Sequence, residues 1–94
     1  MSITWLPRAR VDVSHSRQYI EQRNSEGAQR VVLAIYAAVR RIAGAPHLGR
    51  PGRVARTREL VVARTPYIVA YSVTGDRLII LAVIHGAQEW PDTF

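Results

Sequence analysis

The sequence contains no cysteine and no lysine, and its apolar residues never gather into a long run. The missing cysteine removes disulfides, cysteine-rich zinc sites and thiol chemistry together. Three histidines remain, at 15, 47 and 85, too scattered to propose a metal site. No apolar run approaches the ~18 residues of a membrane span, and the N-terminal MSITWLPRAR lacks the apolar core of a signal peptide. The protein is therefore expected in the cytoplasm, with no membrane partner. Gly49 and Gly52 are not followed by the Lys-Ser/Thr of a phosphate loop. No Ser/His/Asp or carboxylate-pair signature stands out either, so no cofactor is expected.

With 48% hydrophobic and 21% charged residues the chain is globular, and 94 residues make one domain, 1–94, large enough to bury a core. Thirteen arginines against seven acids give a net charge of +6. Such a charge attracts nucleic acid or an acidic protein partner at long range, without choosing between them.

The pattern along the chain predicts an α+β fold: a short N-terminal strand, an antiparallel helical hairpin, then a three-stranded antiparallel meander. Ser2 to Leu6 alternates, with Ile3 and Trp5 on one side. Ala9, Val13, Ser16 and Ile20 form a thin helical stripe within 8–23. A second helix follows an Asn24-Ser25 cap and carries a fuller stripe: Ala28, Val31, Val32, Ile35, Val39 and Ile42. Gly44 and Pro46 end it. Residues 45–57, APHLGRPGRVART, read as a basic loop, with Arg50, Arg53 and Arg56 in it and Arg58 just beyond. Strands are predicted over 59–63, 67–73 and 77–85. The last of these is nearly all apolar, as a central strand covered on both faces would be. A short tail, 86–94, follows.

Four phrases in this order resemble the ParE/RelE superfamily, toxins of bacterial type II toxin–antitoxin modules, along essentially the whole chain. They are Gly49-Arg50-Pro51-Gly52-Arg53-Val54, Thr57-Arg58-Glu59-Leu60-Val61-Val62, Tyr67-Ile68-Val69-Ala70-Tyr71 and Val83-Ile84-His85-Gly86-Ala87-Gln88. They look most like the ParE branch. That resemblance implies a toxin that poisons DNA gyrase by stalling its cleaved-DNA complex. It further implies neutralisation by a cognate ParD-like antitoxin in a hetero-oligomer, with DNA contacted only through the antitoxin. The RelE branch instead cuts messenger RNA on the ribosome, which is the alternative reading.

RNA cleavage by a 2′-hydroxyl needs a proton acceptor, cations for the phosphorane charge and a donor to the leaving oxygen. Aligning Tyr67 to Tyr71 without gaps to the equivalent RelE strand puts that branch's basic positions on Glu59, Val61, Ile68 and Gln88, none of them basic. His85 keeps the ribonuclease alternative open, since histidine titrates near neutrality, with Arg58 or Arg64 as the charge. No catalytic residue is assigned on the ParE reading. There His85 is a contact residue, or simply ends a buried strand.

The partner-binding candidates are Arg50, Arg53, Arg56, Arg58, Arg64, His85, Gln88 and Trp90. The loop arginines suit phosphates or an acidic antitoxin segment, or pair with local acids such as Glu59. Trp90 is expected to fold back as a plug over the core rather than wait for a partner. Tyr67 and Tyr71 share a strand face and are expected to pack, with base stacking secondary. Tyr19 and Tyr36 are expected to help the helices pack. The second helix offers only Arg30, Arg40 and Arg41, too little for a DNA-reading element.

Overall fold

The computed structural model describes all 94 residues. Its elements run β1 (Ser2–Trp5), α1 (Pro7–Glu21), α2 (Ser25–Gly44), β2 (Arg50–Pro51), β3 (Arg58–Val61), β4 (Tyr67–Thr74) and β5 (Arg77–His85). They form one five-stranded sheet in the order β1-β5-β4-β3-β2. β1 lies parallel to β5, and every other pairing is antiparallel. β5 is an interior strand, between β1 and β4, which agrees with its apolar run.

Both helices start where the chemistry favours it. Pro7 opens α1, where its missing N–H costs nothing. The Asn24 side chain accepts from the Gly27 amide at 3.0 Å and caps α2, whose first turn also carries Glu26. α1 packs over β5 and α2 over β4. Their buried residues Ala9, Val13, Ile35, Ala38, Val39 and Ile42 meet Tyr67, Val69, Tyr71, Leu78, Ile80 and Val83 on one sheet face.

The expected loop 45–57 contains one more pairing than the sequence showed: Arg50 and Pro51 align with Glu59 and Arg58 as an edge strand two residues long. A short edge ending in proline leaves little free backbone for another chain to pair with. The loop before it hangs on Tyr71. The fully buried Tyr71 hydroxyl donates to the Pro46 carbonyl at 2.8 Å and accepts from the Gly49 amide at 2.8 Å. A Cβ on Gly49 would lie 2.6 Å from that hydroxyl and 2.8 Å from the Glu59 carbonyl, so only glycine fits.

A bulge in β5 explains its unbroken apolar run. Ala70 pairs with Ala82 but Tyr71 pairs with Ile80, so Leu81 is the extra residue. Side-chain parity flips there. Leu78 and Ile80 face the helices before it and Val83 after it, while Ala82 and Ile84 turn to the second face. β1 ends opposite Ile80. Beyond that point the outer edge of β5 is met by α1, where Asp12 Oδ2 accepts from the Val83 amide at 2.9 Å.

The second sheet face has no helix. Ala70, Ala82 and Ile84 form a small cluster there, covered by Leu81 and Trp90. The tail thus folds back as the expected plug, and Phe94 ends beside Arg8, whose guanidinium carbon lies 5.7 Å from the ring centre. Tyr19 and Tyr36, expected to help the helices pack, lie on the outside of the hairpin. Tyr19 is 59% exposed and Tyr36 is 42% exposed, so neither fills the hairpin interior. Tyr19 lies under the Arg23 guanidinium at 4.3 Å, and Tyr36 meets Trp5 at 5.4 Å between ring centres. Both sit on the outward side of stripes that alanine and valine already fill.

Candidate functional site

Glu59 is the one buried charged residue, with its side chain 2% exposed. β3 places it on the second sheet face opposite Ala70. Its carboxylate gathers the basic loop. Oε1 accepts from Arg50 Nη2 at 3.0 Å, and Oε2 accepts from the Arg53 amide at 2.8 Å and Arg53 Nε at 3.2 Å. Burial alone would push this carboxyl up. The Arg53 amide, then the Arg53 and Arg50 side chains and the nearby Arg53 charge, outweigh it and hold the carboxyl below its ordinary value. Two of the loop's candidate cations are therefore engaged within the chain.

Arg53 has a second partner. Its guanidinium carbon sits 3.7 Å above the Trp90 ring centre, a cation–π contact that ties the tail to the loop. Trp90 Nε1 is buried without a hydrogen-bond partner. Glu59, Arg53 and Trp90 thus form one stacked group across the second face.

The remaining candidates lie apart. Arg58 stands opposite Tyr71, and its Nη1 donates to the Gly49 carbonyl at 2.7 Å. His85 stands opposite Tyr67, its ring edge-on to the tyrosine at 5.4 Å. Along β4 those two positions are four residues apart, about 13 Å. Arg58 and His85 therefore do not converge on one reacting atom. Arg64 occupies the β3–β4 turn in the left-handed region, φ 64°.

His85 and Gln88 do come together. The His85 amide donates to Gln88 Oε1 at 3.2 Å, and His85 Nδ1 accepts from the Ala87 amide at 3.0 Å. That acceptor role places the proton of the neutral ring on Nε2. Tyr67 and Tyr71 are 6% and 0% exposed on the helix side, which removes them as a stacking platform.

The sequence offered Glu59 as a local partner for the loop arginines but not that its one carboxylate gathers both Arg50 and Arg53, and it gave no signal that the exposed His47 lines a notch with Arg56 and Arg58. Glu59 carried a signal: one acid at the head of an apolar strand, following a run of arginines.

These features define a small basic α+β domain whose sheet carries cations at its rim. The chain belongs to the ParE toxin family: the model described as the ParE toxin of the type II toxin–antitoxin system parDE matches residues 3–90. A candidate toxin of Sinorhizobium fredii, Y4kP, is 44% identical over 89 residues, covering 95% of this chain and 92% of that protein. Toxin RelE2 of Caulobacter vibrioides is 35% identical over 86 residues, covering 92% and 96%. A solved structure titled as the chromosomal ParDE toxin–antitoxin system from P. aeruginosa superposes with a TM-score of 0.82. It shares 25% identity and covers 90% of this chain and 95% of that one.

Proposed function

We propose that this ParE-family toxin acts by binding DNA gyrase and trapping its covalent DNA complex, and that a ParD-like antitoxin neutralises it. The observation that carries this reading is the chemistry of the second sheet face. Where the RNA-cutting branch places cations, this chain has Glu59, Val61, Ile68 and Gln88. Glu59 moreover consumes Arg50 and Arg53 in internal pairs. Such a face sets an acid, two aliphatic side chains and an amide where a phosphorane would need cations, whereas a rigid sheet with a charged rim suits protein recognition. The net charge of +6 gives an acidic antitoxin segment a fast, tight approach. DNA is contacted only through the antitoxin.

The test is supercoiling of relaxed plasmid by purified gyrase with increasing toxin. Progressive inhibition, relieved by the antitoxin, is expected; full activity at saturating toxin would reject the target. One observation favours the ribonuclease alternative: His85 has its tautomer set and its Nε2 directed away from the backbone bonds that fix Nδ1. That alternative predicts cut messenger ends on induction, abolished by His85→Ala. Intact messenger rules it out.

A further inference from the structure

Two hollows at the end of the sheet that holds Thr74 share Arg56, Thr57, Ser72 and Val73, and so form one continuous groove. One half is cationic and contains no carboxylate: His47, Arg56 and Arg58 line it, beside the Ser72 hydroxyl. The other half is lined by Val54, Leu81 and the tail residue Phe94, with Asp92 on its tail side.

The cations of this groove are those the internal pairs leave free. Glu59 engages Arg50 and Arg53, but Arg56 takes part in none of the ion pairs of the chain. Arg56 is exposed, and its backbone is held at φ 63°, a left-handed conformation that costs energy for a non-glycine residue. Arg58 is oriented by its bond to the Gly49 carbonyl, and its other guanidinium N–H groups remain for a ligand. The neighbouring Glu59 pocket shows the same loop holding a carboxylate between arginines.

We infer that this groove is the docking site for a segment of the neutralising antitoxin in which a carboxylate lies next to apolar side chains. The carboxylate enters the notch between Arg56, Arg58 and His47, and the adjoining apolar side chain rests on Val73, Leu81 and Phe94. A nucleic-acid strand fits less well. It needs successive cations along its backbone with aromatic rings between them, and here the apolar half carries an acid instead. This inference rests on the toxin–antitoxin reading.

The test uses the full chain labelled with ¹⁵N and a fluorescein-tagged dodecapeptide of alternating Glu and Leu, with a single-stranded dodecanucleotide as the competing ligand. The peptide is expected to shift the amide resonances of Arg56, Thr57, Ser72 and Val73. The double variant H47E/R56E should bind it at least tenfold more weakly. R30E, a charge reversal on the outer face of α2, should bind within twofold of the unaltered chain. No binding at millimolar peptide, shifts centred on the helices, or equal losses in R30E and H47E/R56E would overturn the assignment. So would a dodecanucleotide that occupies the same amides more tightly than the peptide. Growth arrest on expression of the unaltered chain reads toxicity separately, so the groove can fail while the toxin reading stands, and the reverse.

Discussion

Replacing Glu59 by alanine is the sharpest perturbation of the fold that carries the site. The change removes a buried carboxylate that holds two guanidinium groups and the Arg53 amide. Breaking a fully buried pair costs about 3–5 kcal/mol. Here the carboxylate is 2% exposed but Arg50 and Arg53 are 55% and 47% exposed, so both arginines can rehydrate when released. That brings the loss to about 2–3 kcal/mol, part of it from the stranded amide. In a domain of this size each kcal/mol moves Tm by about 4–8 °C, so a fall of roughly 10–20 °C is expected. Urea unfolding followed by far-UV circular dichroism reads the free energy directly. Glu59→Gln keeps the shape and one acceptor oxygen, and should recover part of the loss. The pH dependence follows from the sign of the shift. The folded carboxyl titrates below its ordinary value of 4.5, so its stabilisation is present above that value and disappears as pH falls through the folded one. Stability of the unaltered chain should drop along that acid limb, and Glu59→Ala should lack this component. A loss under about 0.5 kcal/mol at neutral pH, or identical acid limbs, would refute the hub role of Glu59.

Gly49→Ala forces a Cβ against the Tyr71 hydroxyl and should cost about 1–3 kcal/mol, with faster amide exchange through 46–50. Tyr71→Phe removes only the hydroxyl between Pro46 and Gly49 and should loosen the same loop at a cost of about 1–3 kcal/mol. Asp12→Ala strips the Val83 amide of its acceptor; a loss of about 1–2 kcal/mol and faster exchange at Val83 are expected, and unchanged exchange there would contradict the edge-capping role. Trp90→Ala uncovers Ala70, Ala82 and Ile84, and should raise binding of an apolar dye while costing about 1–3 kcal/mol, less than a fully buried tryptophan.

The helices and the meander were legible because their signals are local. The Asn24 cap, the α2 stripe and the alternation of Tyr67, Val69 and Tyr71 all appear where the spacing predicts. Boundaries moved by one or two residues: α1 spans 7–21 rather than 8–23, and β3 spans 58–61 rather than 59–63. Non-local features stayed hidden. The β2 pairing sets Arg50 opposite Glu59, to which it also bonds through its side chain, and no period exists in two residues. The bulge at Leu81 is silent because leucine suits either face, so strict alternation would have put Ala82 and Ile84 with Leu78. Asp12 meets Val83 across 71 residues of sequence, a partnership no helical stripe reports. At the site, counting arginines overstated the free charge, since pairing with Glu59 and bonding to Gly49 are decided only by the fold. Trp90 was legible as a plug, but its stacking under Arg53 was not.

The central claim is a toxin that poisons gyrase rather than one that cuts RNA. The most direct measurement incubates purified gyrase, supercoiled plasmid and ATP with the toxin, then denatures the protein and looks for linear plasmid. Linear DNA that rises with toxin, stays covalently bound to gyrase and disappears when the antitoxin is added first is expected. Unbroken plasmid at saturating toxin, together with cut messenger in a ribosome-containing reaction, would contradict it.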